Sequence, residues 1–523
     1  MPEDHDLFGP EDGEIVPPAP PGPLPRIRIW VRDHVRLVSL VTVVIVAAGA
    51  LTAVFWPDNA CGGGDSGVRK LDGECVGVTD GTYVFHDSYT DVQAKIAAEN
   101  ASVAGSGRTV TIAVLDPLTV NDTSAVTLDQ IRTELEGAYT AQYRINHTAA
   151  VGDQRPLVKL ALANWGSHEL HWQTVVEQLE GMVHDPDPLV AVVGLRLSTV
   201  QTEQAAKHLA QHDIPMVSSI ATADQLNYGA IRGFLRASPA NAEYVTALQG
   251  YLRHHPGLDS AMLVYDANSD INNDPGTASG ADLFTRSLRD DVNRAFAPLL
   301  KYPAQNFVGL SGPTGAAPDL FTNITTNICA VKPKVVFYAG RVVDFTGFLQ
   351  SLHNRVCPNS PLTAVVSGAD FGSLQLRTKE AELREKNISV VYATEADPRG
   401  WLQGATGTPP FFKEFHDQFG RLGFPAADLD DGGAISVHDS LLIAAKAARL
   451  STRSHPGHAV PSHSDVLNQM LNLNSLDEVP GASGQLSFSF RGAESGNPGN
   501  KPIPVIEVPS AAAAQTAEVY HTK

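Results

Sequence analysis

The sequence predicts an α/β protein with two doubly wound parallel-sheet lobes, preceded by one transmembrane helix. Three observations carry this. From Thr109 onward, apolar strands alternate with helical stretches, the pattern of parallel sheets built from right-handed crossovers. At 523 residues the chain is long for a single core, so two lobes are the default. The stretch LVSLVTVVIVAAGALTAVFW, from Leu37 to Trp56, holds no ionisable residue and would span about 30 Å as a helix.

Taken from the amino end, residues 1–34 are acidic and Pro-rich at first and are expected to be a disordered cytoplasmic tail. Residues 35–56 are the expected membrane helix. Arg26, Arg28, Arg32 and Arg36 precede its apolar run from Leu37, while Asp58 and Asp65 follow, so the positive-inside rule leaves the N-terminus cytoplasmic and the remainder extracytoplasmic at the cell membrane. A cleaved signal peptide is the competing reading, but its apolar core would be shorter and nearer residue 1. Cys61, followed by glycines, lacks the Leu and small residues that precede a lipoprotein cleavage site.

Residues 57–107 read as an extracytoplasmic linker with a disulfide loop. Four cysteines outside the membrane allow three pairings. Cys61 and Cys75 bracket a Gly-rich loop, and Cys329 and Cys357 flank one strand–helix unit at the same sheet end, which favours joining them. With no C-x-x-C and no paired Cys/His spacing recognised, no metal site is expected.

Strands are predicted at 109–116, 156–163, 189–194 and 214–219, with helices near 127–145, 170–184 and 199–212. A second series follows Pro239: strands 259–266, 334–340, 361–367 and 388–393, with helices 280–293 and 344–355. Helices near 409–422 and 432–450 come next, and IPVIEV is the last strand.

The segment LVAVVGLRLSTVQTEQAAKHLAQHDIPMVSSIATADQL, Leu189 to Leu226, resembles the type I periplasmic solute-binding proteins, especially the branched-chain amino-acid (Leu/Ile/Val) binding components of ABC importers. The matching pattern is Val192, Val193 and Gly194 at a strand end, the turn Ser198 and Thr199, Ile214 and Pro215, then Ser219, Ala221, Thr222 and Leu226. TVTIAVLDPLT, KVVFYAG and VPGASGQLSFSFRG are similar to the family's first strand, a lobe-two strand and its late hairpin. The resemblance covers about four fifths of the chain. It implies a three-crossover hinge, with 108–237 and 395–492 in lobe one, 238–394 and 493–510 in lobe two, and 511–523 as a disordered tail.

Buried carboxylates and ammoniums need partners, and strand-tip hydroxyls and helix-start N–H groups suit the former. Ser198 and Thr199 are candidates for a ligand carboxylate, against the plainer reading of a helix cap. Thr222, with the backbone of Ile220 and Ala221, aligns with the second turn that grips an amino acid in the resembled family. Asp370 occupies the place where that family presents an acid to the ammonium; a surface cap is the alternative. Arg341 stands where relatives carry an aromatic or small residue, so it either pairs an acidic ligand group or is solvated on the cleft rim. Asp116 and Trp165 are weaker candidates at other strand ends.

A net charge of −19 disfavours nucleic acid. Without a G-x-S-x-G elbow or a phosphate loop, no enzyme and no cofactor are expected. The resemblance implies a membrane-tethered extracytoplasmic protein that captures a small zwitterion, an amino acid or similar, for an ABC permease. The alternative is a ligand-sensing ectodomain or co-receptor without transport.

Overall fold

In the computed structural model the described residues are 61, 67–270, 282–310, 320–367, 372, 374–454, 460–492, 495–510 and 517–523. All belong to one unit, Ala60–Lys523. The expected cytoplasmic tail and membrane helix lie outside them, and among the described residues no helix is long and apolar enough to cross a membrane.

Lobe one is built on seven strands: β1 (Val68–Leu71), β2 (Glu74–Thr79), β3 (Thr109–Asp116), β4 (Leu157–Asn164), β5 (Leu189–Gly194), β6 (Met216–Ser218) and β7 (Phe234–Arg236), in the order β1-β2-β4-β3-β5-β6-β7. From β4 to β7 every pairing is parallel, while β1 and β2 are antiparallel additions at one edge. All eight residues of β3 are buried, as a central strand with helices on both faces requires. Val110, Ile112 and Val114 enter one core, whereas Ala113 and Leu115 enter the other.

Helices α1 (Thr90–Val103) and α2 (Leu128–His147) cover the first face, and α3 (Trp172–Gly181) and α4 (Val200–Gln211) the second. The capping box of α2, Thr127 with Gln130, sets its start. Residues 68–103 are therefore not a linker. β1, β2 and α1 are part of lobe one, and the Cys61–Cys75 disulfide ties the chain's entry to β2.

Lobe two follows with α5 (Asn241–His254), β8 (Ala261–Asp266), α6 (Leu283–Phe296), β9 (Gln305–Phe307), α7 (Thr322–Val331), β10 (Val335–Ala339), α8 (Val342–His353), β11 (Leu362–Ser367) and β12 (Ile388–Ala393). Along β10, Val336 and Tyr338 pack with α7 and α8, and Val335, Phe337 and Ala339 with α5 and α6. The second disulfide, Cys329–Cys357, joins the end of α7 to the loop after α8, as the sequence favoured.

The chain then returns to lobe one. Trp401, α9 (Phe412–Arg421) and α10 (Gly433–Ser454) add their apolar residues to the core over α2, followed by α11 (His463–Met470). A small antiparallel sheet comes next, from β13 (Val479–Gly481), β14 (Gly484–Phe488) and β15 (Pro498–Gly499). Finally β16 (Pro502–Val508) and β17 (Glu518–His521) complete the lobe-two sheet in the order β17-β16-β12-β11-β10-β8-β9. Residues 511–523 are thus not wholly a tail: β17 pairs antiparallel with β16.

The three passages between lobes touch one another. Thr394 N–H donates to the Pro504 carbonyl at 3.0 Å, and the buried Lys501 ammonium donates to the Ala237 carbonyl at 2.8 Å. Lys501 also donates to Ser483 Oγ at 2.8 Å. In turn Ser483 and Ala482 are held by the buried Asp439 of α10. The hinge is thereby stitched to the longest helix of lobe one.

Candidate functional site

The carboxyl ends of the lobe-one strands gather polar groups that are almost completely buried. Gly194 ends β5 at φ +91°, and a Cβ there would lie 2.5 Å from Asp116 Oδ2, so only glycine fits. Asp116, at the end of β3, accepts from Arg196 N–H at 3.1 Å. Burial pushes its carboxyl up to about 7, with Arg196 opposing. Arg196 itself pairs with Glu134 of α2 at 3.0 Å.

Ser198 and Thr199 are engaged within the protein. The Ser198 hydroxyl accepts from Ala223 N–H at 3.1 Å, and its carbonyl accepts from the Leu283 and Phe284 N–H groups at 3.0 and 3.2 Å. Those two amides open α6, so a lobe-one carbonyl sits on a lobe-two helix start. Thr199 caps α4 by accepting from Thr202 N–H at 3.0 Å, and its hydroxyl donates to Glu169. Thr202 donates to the same Glu169 oxygen at 3.1 Å. Fully buried, Glu169 is pushed up to about 8 by desolvation, so it is mostly a neutral acid at pH 7.

In the second turn, Ala221 N–H donates to Ser218 Oγ at 2.9 Å and its carbonyl accepts from Arg236 at 3.2 Å. Ile220 and Ala221 are buried. The Thr222 carbonyl accepts from Asn241 N–H at 2.8 Å, where the chain first enters lobe two. Around these tips the buried atoms Trp165 Nε1, Glu169 Oε1, Thr222 Oγ1, Ser238 Oγ and Asn241 Oδ1 have no hydrogen-bond partner among the described residues.

Arg341 faces them from lobe two and is neither solvated nor free. It forms a two-point ion pair with Asp282, at 2.6 and 3.1 Å, and its guanidinium lies 5.4 Å from the Phe284 ring centre. The rim placement is therefore corrected. Asp282 also caps α6 by accepting from Thr285 N–H at 3.2 Å. Two further acids lie beside this pair. Asp344 is pushed up to about 7 by burial and then by Asp266, with Arg341 opposing; burial and then Asp282 raise Asp266.

Between the lobes lies a cavity of about 280 Å³. Lobe one contributes the start of α2, from Thr127 to Thr133, and the loop 427–431; lobe two contributes Val342, Val343 and Thr346 of α8 with Leu374 and Gln375. Its wall holds Asp129, Asp428, Asp430 and Asp431 against one arginine, Arg132. That arginine is already shared between Glu136 at 2.6 Å and Asp428 at 2.7 Å. Asp430 is in turn held by Arg399, whose Nε donates to both carboxylate oxygens at 3.1 and 3.0 Å.

No protein-family model matches the chain, and no curated protein matches it in sequence. Solved structures do match. The leucine-binding protein LivK of Thermotoga maritima is 13% identical, with a TM-score of 0.53, over 79% of this chain and 98% of that one. This chain has the type I periplasmic-binding fold. The branched-chain amino-acid transporter component LivJ of Streptococcus pneumoniae, solved with isoleucine, is 14% identical at TM-score 0.53, covering 79% and 100%. A solute-binding protein of an ABC transporter from Rhodopseudomonas palustris, solved with p-hydroxybenzoic acid, is 12% identical at TM-score 0.55, covering 79% and 98%.

Within this type I periplasmic-binding fold, Ser198, Thr199, Ile220, Ala221, Thr222 and Arg341 come together at the junction of the lobes. None of them lines the 280 Å³ cavity. Asp370 lies outside the described residues. Sequence reasoning missed Glu169 and Asp282, whose partners are 30 and 59 residues away, and the aspartates of loop 427–431. The run DLDDGG after a helical stretch was the one visible signal for that loop.

Proposed function

We propose that the chain is an extracytoplasmic solute-binding protein of an ABC importer, tethered by the apolar stretch 37–56, whose two lobes close on a small zwitterion. The acid-walled cavity between the lobes carries this reading. Its lining is rich in acids, of which Asp428 and Asp430 are held by Arg132 and Arg399 and Asp129 is exposed, and a ligand ammonium would complement that lining. Its volume is near the lower end of ordinary ligand sites, which suits an amino acid rather than a larger solute. Leucine, isoleucine and p-hydroxybenzoic acid, held by similarly folded proteins, define the first compounds to try. Closure of two hinged lobes around such a solute is an established transition.

The test is calorimetric titration of residues 60–523 with amino acids, amino-acid amides and hydroxybenzoates at up to about 1 mM. Binding by amino acids that weakens on Asp428→Asn supports the proposal. Binding confined to hydroxybenzoates removes the zwitterion, and silence across the whole panel removes the solute-binding reading.

A further inference from the structure

On the face of lobe one covered by α3 and α4, Glu180 of α3 meets His208 of α4 and His212, the residue that closes that helix. His208 and His212 are four residues apart on one helix face, a pairing that the sequence expectation of no metal site leaves out. His208 Nε2 lies 3.0 Å from Glu180 Oε1, and His212 Nδ1 lies 3.6 Å from the same oxygen. One ligand atom from each of the three residues can be taken so that all lie within 4.8 Å of one another. Ligands about 2.0–2.1 Å from a tetrahedral ion are separated by roughly 3.3 Å, so the two measured distances bracket the edge of such a site.

The surroundings hold these groups in place. The Trp172 ring meets His208 edge-on at 6.0 Å, and the His208 and His212 rings stack at 5.2 Å. The Glu180 side chain is only 18% exposed, and its Oε1 has no hydrogen-bond partner of good geometry.

We propose that Glu180, His208 and His212 form a binding site for a divalent transition-metal ion of the zinc class. The proposal is independent of solute binding in the cleft. Two imidazoles and a carboxylate make a borderline donor set that suits zinc, nickel or copper and not magnesium or calcium, which take oxygen ligands. Three protein ligands leave a fourth position for water. A bound ion would clamp α3 to α4 on the outside of the sheet.

The experiment is titration of the chelator-stripped full chain with ZnCl2 at pH 7.5, followed by calorimetry, with MgCl2 as the contrasting ion. One zinc per chain with micromolar affinity is expected, and no magnesium binding. His212→Ala, whose ring is about half exposed, is expected to weaken zinc by about tenfold or more, as is Glu180→Gln. Substituted cobalt(II) is expected to give the visible absorption of a four-coordinate ion. Absence of zinc binding at about 1 mM, or zinc binding unchanged in both variants, overturns the site.

Discussion

Replacing Arg341 tests whether this arginine belongs to the protein or to a ligand. Its side chain is 8% exposed and that of Asp282 is 2% exposed, so neither charge is screened by water. With charge centres about 4 Å apart and an effective dielectric of about 20, their attraction is about 4 kcal/mol. Arg341→Met keeps the apolar stem against Phe284 but strands the Asp282 charge beside Asp266 and Asp344. A loss of about 3–5 kcal/mol in unfolding free energy is expected. Asp282→Asn keeps the cap on α6, because asparagine caps as well as aspartate, yet strands Arg341. Urea unfolding of the wild type, both single variants and the double variant closes the cycle. The double variant is expected to lose about 2–4 kcal/mol less than the sum of the singles. A coupling below about 0.5 kcal/mol would refute the structural role and return Arg341 to the candidate ligand contacts.

Two further perturbations follow from the packing. Glu169 titrates near 8 in the folded chain and near 4.5 when unfolded, so the folded state holds the extra proton between those values. Its contribution is complete below about 4.5 and is lost as pH rises through about 8. Glu169→Gln is therefore expected to flatten the decline in stability between pH 5 and 8, with a gain on the order of a few kcal/mol at pH 8, read from denaturation curves at each pH. An unchanged slope would contradict a neutral buried acid. At Gly137 of α2, a Cβ would lie 2.1 Å from the Ala434 carbonyl oxygen and 2.6 Å from its Cα. Gly137→Ala is expected to push α10 off α2 and cost about 1–3 kcal/mol in thermal or chemical unfolding; a variant as stable as the wild type would show that the two backbones do not approach so closely.

The central strands were legible because burial on both faces leaves no room for polar residues. TVTIAVLD is β3 to the residue, and LVAVVG is β5. The edges were not. β1 (VRKL) and β17 (EVYH) are short and half exposed, and β9 (QNF) is polar, so none carries an apolar run. β6 was read two residues early because Ile214 and Pro215 are apolar but lie in the turn before Met216. In the cleft, hydroxyl-bearing turns were visible from local spacing, whereas their partners were not. The Arg341–Asp282 pair and the Glu169 contacts join residues brought together only by the fold, and the acid next to Arg341 in sequence, Asp344, is not its ion-pair partner. The disulfides were readable because cysteines are few and each pair flanks one local unit.

The Cys61–Cys75 bond has a mechanical consequence for whatever pulls on the amino-terminal side of residue 61. β1 lies between the two cysteines, so tension entering at residue 61 jumps through sulphur to β2 and leaves β1 slack. The first ladder, from Val68–Gly77 to Leu71–Glu74, cannot be peeled open one rung at a time by such a force. The load arrives in shear on β2 and its neighbour β4, and from there in the half of the molecule that carries the strand-tip hydroxyls, leaving the other half free to swing without bearing weight.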